Sequence, residues 1–189
     1  TFPDGNSDFT SYINNAKNAG CEVFFSPVST EAAQLIIDQA EAQSLGMPIL
    51  AGDTWDSNVI LQAAKGKNVD VTVTTFYPEG ANAEFDAGFK TWVNADATLL
   101  ANNGGDDTVA AVTAMGYDAY FFALAAIQKA GSIEPAAIME ALWSTTYDGV
   151  SGPIALDQTN GDAIRNTAYV KHCNTETGAW DALPAVTIG

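Results

Sequence analysis

Apolar residues recur along the first part of the chain with two alternating periods. Phe9, Tyr12, Ile13 and Ala16 fall at i, i+3, i+4 and i+7 behind Asp8, and Gly20 closes the run, which predicts a capped helix. Residues 21–25 read as a strand, broken by Ser26-Pro27. Ala33, Ile36, Ile37 and Ala40 then mark a second helix over about residues 29–45, stopped by Gly46. Ile49, Leu50 and Ala51 form a short apolar strand, and Val59, Ile60, Ala63 and Ala64 a short helix. Val69, Val71 and Val73 alternate with Asp70, Thr72 and Thr74, the signature of a strand with one buried face. Strand and helix alternate here as in a parallel sheet with right-handed crossovers.

The rhythm changes after Thr75-Phe76-Tyr77-Pro78-Glu79-Gly80, where helices follow one another with no strand between them. Phe85, Phe89, Trp92 and Val93 stripe the first, residues 101–106 read as a loop, and helices are expected over about residues 108–130 and 134–144. These helices have too few strands of their own to cover. Either they pack on another lobe or they form a helical subdomain. Strand patterns return from Tyr147, with a hairpin turn at Asn160-Gly161 and a last short strand containing Trp180.

Composition removes several classes of function. Twenty-three acids against seven bases give a formal charge of −16, without a basic cluster. Phosphate binding needs Lys and Arg to displace counterions, so no nucleic-acid partner is expected, and anionic lipid is disfavoured. The longest apolar run, residues 109–127, contains Thr113, Gly116, Tyr117, Asp118 and Tyr120 and reads as a buried helix rather than a membrane span. His172 is the sole histidine, and its neighbour Cys173 points to the opposite face of a strand, so the two do not converge as a nucleophile dyad. Metal-ligand spacing and a phosphate-cradling glycine motif are missing, so no enzyme, metal or cofactor is expected. Cys21 and Cys173 fit either a disulfide of an exported protein or two inert buried thiols.

The stretch Gly52-Asp53-Thr54-Trp55-Asp56-Ser57 carries the candidate chemistry. It follows an apolar strand, and ligands of open α/β sheets gather at strand C-terminal ends. Asp53 offers charge to a cation, or caps the turn that follows it. Trp55 offers an apolar wall, and Asp56 reads chiefly as the cap of the helix beginning near Ser57. The acids lack the regular alternation of an EF-hand loop.

Several segments, in order, resemble the branched-chain amino-acid type of periplasmic binding protein, the type I solute-binding component of ABC importers. They are Asp8-Phe9-Thr10, Val23-Phe24-Phe25, the Gly52 to Ser57 stretch and Thr74-Thr75-Phe76, followed by Met115-Gly116-Tyr117-Asp118-Ala119 and Gly131-Ser132. The series closes with Asp148-Gly149-Val150-Ser151-Gly152-Pro153-Ile154-Ala155-Leu156-Asp157 and Asn160-Gly161-Asp162, so that the resemblance covers nearly the whole chain.

The resemblance implies an α/β fold, a three-layer parallel-sheet lobe that is incomplete, the chain being a C-terminal portion. Residues 1–77 would supply βα units of the C-terminal lobe, residues 78–146 helices packing on a missing N-terminal lobe, and residues 147–189 the return with a β-hairpin and tail. It also implies capture of an amino acid or similar small solute for an ABC importer by closure of two lobes, an ammonium meeting Asp53, with Trp55, Val28, Ser29, Phe76 and Tyr77 lining the cleft or hinge. Val28 and Ser29 depart from the family, which commonly has an aromatic residue there. Partners implied are the small-molecule ligand and the membrane subunits of an ABC permease, in an extracytoplasmic setting, either periplasm or cell-surface lipoprotein. A ligand-sensing ectodomain or regulator of the same fold, and a truncated piece without appreciable binding, are the alternatives. Unpaired strand edges left by truncation imply self-association.

Overall fold

Local side-chain chemistry sets several of the helix starts in the computed structural model, which describes residues 2–3 and 5–187. An Asp8 carboxylate oxygen accepts from Thr10 N at 2.9 Å and opens α1 (Thr10–Asn18). The chain then runs through β1 (Phe24–Ser26), α2 (Thr30–Ala42), β2 (Ile49–Ala51), a single 3₁₀ turn (Asp53–Trp55), α3 (Asn58–Ala64) and β3 (Val71–Thr75). Four helices follow without a strand: α4 (Ala83–Val93), α5 (Ala97–Asn102), α6 (Ala111–Ala130) and α7 (Pro135–Trp143). Side chains of Ser57, Asn82 and Asp96 cap α3, α4 and α5. The chain closes with β4 (Tyr147–Gly149), β5 (Gly152–Ile154), β6 (Thr167–Asn174) and β7 (Ala179–Thr187).

The main sheet has the order β1-β2-β3-β6-β7. Its first three strands are parallel, whereas β6 and β7 join antiparallel. The parallel half is the one the βαβ rhythm predicts. β4 and β5 pair separately beside α6.

Helices α1, α2 and α3 cover one face of this sheet. Ile13, Ile36, Ile37 and Ile60 pack there on Ile49, Val71, Val73 and Cys173. On the other face Phe25 is 67% and Leu50 39% exposed, adjacent in register. The chain thus supplies two layers of the expected three-layer lobe; the helices of the third are not among the described residues. A smaller core gathers Tyr77, Val109, Ala111 and Ala114, with Phe85, Phe89 and Val150 against it, where α4 and α6 meet.

Several boundaries differ from the sequence reading. The first strand starts only at Phe24, after residues 21–23, which lie outside any strand. Residues 97–102, assigned partly to a loop, form α5, because Asp96 supplies a cap that a six-residue helix needs more than periodicity. The expected turn across Asp157 and Asp162 forms, with Asp157 N donating to the Asp162 carbonyl at 2.8 Å beside a bridge between Leu156 and Ala163, but the long hairpin is β6–β7. β7 is nine residues long rather than short; it lies at the sheet edge, where Pro184 is tolerated. Both cysteines are free, Cys21 exposed and Cys173 buried, so neither the disulfide nor a pair of buried thiols is formed. No helix among the described residues is long and apolar enough to cross a membrane.

Candidate functional site

A cleft of about 640 Å³ opens beyond the C-terminal ends of β1 and β2. Ser29, Thr30, Asp53 and Ser57 line it from the sheet side, Asn103 and Thr113 from the helical side. The two sides are joined at α3. Asn58 donates from its side-chain amide to the Asn103 carbonyl at 2.8 Å, and Gln62 reaches the Gly104 carbonyl at 3.3 Å.

The 3₁₀ turn between β2 and α3 is tethered in three directions. Thr54 donates its hydroxyl to the Val28 carbonyl at 3.0 Å, and the Trp55 indole N–H donates to the same oxygen at 3.1 Å. Thr30 returns a hydroxyl bond to the Thr54 carbonyl at 2.9 Å. Asp56, 3% exposed, accepts from Lys171 Nζ at 3.0 Å on each carboxylate oxygen and from the Thr75 hydroxyl at 2.6 Å. Asp53 alone is different: it is half-buried at the cleft, and its carboxylate has no hydrogen bond or ion pair among the described residues.

Three sequence expectations change here. Trp55 is 0% exposed and belongs to the main core, so it supports the turn from beneath and is not a cleft wall. Asp56 does not cap α3; the Ser57 hydroxyl oxygen does, accepting from Val59 N at 3.1 Å, while Asp56 sits in a buried ion pair. Tyr77 is buried in the smaller core, donating to Asp86 at 2.7 Å and accepting from Asn82 N at 3.1 Å. Burial, with the bond to Asp86, pushes its hydroxyl well above the usual tyrosine range. It therefore offers no free group to a ligand.

The remaining candidates lie as follows. Val28 is half-buried against the main core, and its carbonyl, not its side chain, organises the turn. Ser29 is exposed at the start of α2, makes no capping bond and borders the cleft. Phe76 is half-buried at the exit from β3, with the Arg165 guanidinium carbon 5.7 Å from its ring centroid. Arg165 also donates to the Ser151 carbonyl at 3.0 Å and to its hydroxyl at 2.9 Å. Buried Asp118 of α6 completes this junction, accepting from Val150 N at 2.7 Å and Ser151 N at 2.8 Å. Arg165 thus touches both connections between the sheet and the helices.

Lys171 escaped the sequence reading. The available signal was a lone lysine two residues from Cys173, on the core-facing side of an alternating strand. Among the described residues no cluster of three or more His, Cys, Asp or Glu is arranged to hold a metal ion.

Residues 1–177 match the model of the family described as periplasmic binding protein. The chain belongs to the periplasmic binding protein family. Its fold is that of the type I members. This periplasmic binding protein is 28% identical to the leucine-binding protein LivK of Thermotoga maritima, with a TM-score of 0.73 over 98% of this chain and 50% of that one. It shares the fold of the branched-chain amino-acid binding protein LivJ of Streptococcus pneumoniae, solved with isoleucine: TM-score 0.67, 21% identity, 100% of this chain, 50% of that one. The same holds for an R. palustris ABC-transporter solute-binding protein solved with benzoate: TM-score 0.71, 18% identity, 100% of this chain, 50% of that one. The chain therefore spans about half the length of these structures. No curated protein sequence matches it. Family membership implies an extracytoplasmic location.

Proposed function

We propose that this chain forms one side of a solute-binding clamp that captures an amino acid or similar small amine for an ABC importer, with Asp53 receiving the ammonium group. The observation that carries this reading is that the carboxylate of Asp53 is unpaired among the described residues. Its neighbours on the turn are committed to Val28, Lys171, Thr75 and Val59, while Asp53 stands free at a strand C-terminal end. The likeness to the leucine-binding protein LivK and to LivJ solved with isoleucine favours an amino acid.

In this scheme residues 1–77 and 147–189 belong to one lobe, and residues 78–146 engage a second. Closure removes water from around Asp53 and strengthens its attraction for the ammonium. The closed shape is then presented to the permease, outside the cytoplasm in the periplasm or on a cell-surface lipoprotein. Truncating one partner of a desolvated pair of this kind costs ~2–5 kcal/mol. Contacts from one side alone supply less, so the isolated chain is expected to bind at about millimolar Kd.

Titrating the labelled 189-residue chain with a panel of amino acids, followed by NMR, tests this. Saturable shifts confined to the Asp53 turn and lost in Asp53→Asn are expected. Binding that Asp53→Asn leaves intact overturns the anchor, and roughly micromolar binding overturns the one-sided clamp.

A further inference from the structure

We propose that Lys171 is a positioning and charge-setting residue for the cleft: by holding both oxygens of Asp56 it silences that carboxylate and leaves Asp53 as the one free acid of the turn. The second half of this inference rests on the reading of Asp53 as an ammonium anchor.

Lys171 stands opposite Val73 in register and shares the core-facing side of β6 with Cys173. A charge buried there is poor value for stability alone, since well-packed apolar side chains of similar volume commonly do as well or better. What the lysine accomplishes is specific to Asp56, 115 residues away in sequence. The other tethers of the turn run to Val28 and Thr30, on the β1 side. Asp56 alone ties it to β6, in the antiparallel half of the sheet, and to the end of β3. With its oxygens engaged by Lys171 and Thr75, Asp56 has no call on water and no need to rotate toward the cleft that it borders.

Two consequences follow. Without the ammonium, a buried lone carboxylate draws the turn outward toward solvent. The cleft then holds two adjacent acids instead of one, so it favours a ligand with two ammonium groups over a ligand with one. Lys171 acts only through Asp56, and both effects vanish when residue 56 is neutral.

The test compares the wild type, Lys171→Met, Asp56→Asn and the double variant. The first readout needs no ligand: hydrogen exchange of the Trp55 indole N–H and of the amides at Thr54, Trp55 and Asp56. Lys171→Met is expected to speed these by roughly tenfold or more while leaving Ile36 and Ile37 in α2 unchanged. In the Asp56→Asn background the same substitution removes a stranded buried ammonium, so it is expected to leave turn exchange the same or slower, never faster. Unaltered turn exchange, or equal acceleration in α2, overturns the proposal. Should Lys171→Met not fold, the Asp56→Asn pair decides alone, because faster turn exchange in the double variant than in Asp56→Asn means that Lys171 acts independently of Asp56. The second readout is the ratio of affinities for putrescine and butylamine, expected to rise roughly tenfold in Lys171→Met and to return in the double variant. An unchanged ratio removes the charge-setting half. Amine binding indifferent to Asp53→Asn would instead remove the anchor reading and leave the exchange result standing.

Discussion

The side-chain amide of Asn58 lies against the bare α-carbon of Gly104. A Cβ built at Gly104 would meet Asn58 Oδ1 at 2.5 Å, and the glycine has φ +82°. Gly104→Ala therefore meets two penalties, a left-handed backbone and a clash with the side chain that holds the α5–α6 loop on α3. A loss of about 2 kcal/mol in unfolding free energy is expected, read from the urea midpoint. An unchanged midpoint would show that Asn58 yields without cost.

Asp118 offers a different kind of prediction, because its carboxylate answers two backbone N–H groups and the Ser151 hydroxyl. Asp118→Ala leaves those donors without their partner and is expected to cost about 3 kcal/mol. Asp118→Asn keeps an acceptor and should cost about half as much. Equal losses would mean that volume, not hydrogen bonding, matters at this junction.

Asp53 and Asp56 should separate cleanly in stability measurements. Asp53 is half-buried and unpaired, so Asp53→Ala is expected to shift unfolding by less than about 0.5 kcal/mol. Asp56→Ala strands a buried ammonium and is expected to cost roughly 3–5 kcal/mol. Similar values for the two would contradict the division of labour between them.

Burial pushes the Cys173 thiol up to about 11, with Asp181 acting in the same direction. Its folded pKa lies above the unfolded one, so the folded state holds the proton longer. The associated stability is fully present below about pH 9 and is lost as pH rises toward about 11. Denaturation midpoints should fall across that interval, and less so in Cys173→Ala. A thiol reagent near neutral pH should label exposed Cys21 quickly and Cys173 only after unfolding. Rapid labelling of both sites in the folded protein would contradict the burial.

Periodicity carried the sequence reading far where burial is one-sided. Ile36, Ile37 and Ala40 in α2, and Val71 and Val73 in β3, are buried as their spacing requires. The Asp53 turn was legible because a glycine and an acid directly follow a short apolar strand. Asp56 was not. Capping rules are local, and they credit an acid before a helix with a role that Ser57 fills, whereas the partner of Asp56 lies in another part of the sequence. Trp55 misled for a related reason: a tryptophan in a loop looks available, but its indole is spent on the Val28 carbonyl and the core beneath. β7 was largely hidden because most of its residues are exposed, which leaves no buried face to alternate against.

The strand order has a consequence for assembly. β6, which supplies Lys171, is separated from β3 by the four-helix excursion and by β4 and β5, yet the two strands are neighbours in the sheet. Such long-range pairing closes late, because a large loop must be ordered before its contacts are gained. On a ribosome the Asp53 turn would emerge before β6 and wait with Asp56 uncompensated until β6 arrived. Completion of the cleft is thereby a report that β6 has found its place beside β3.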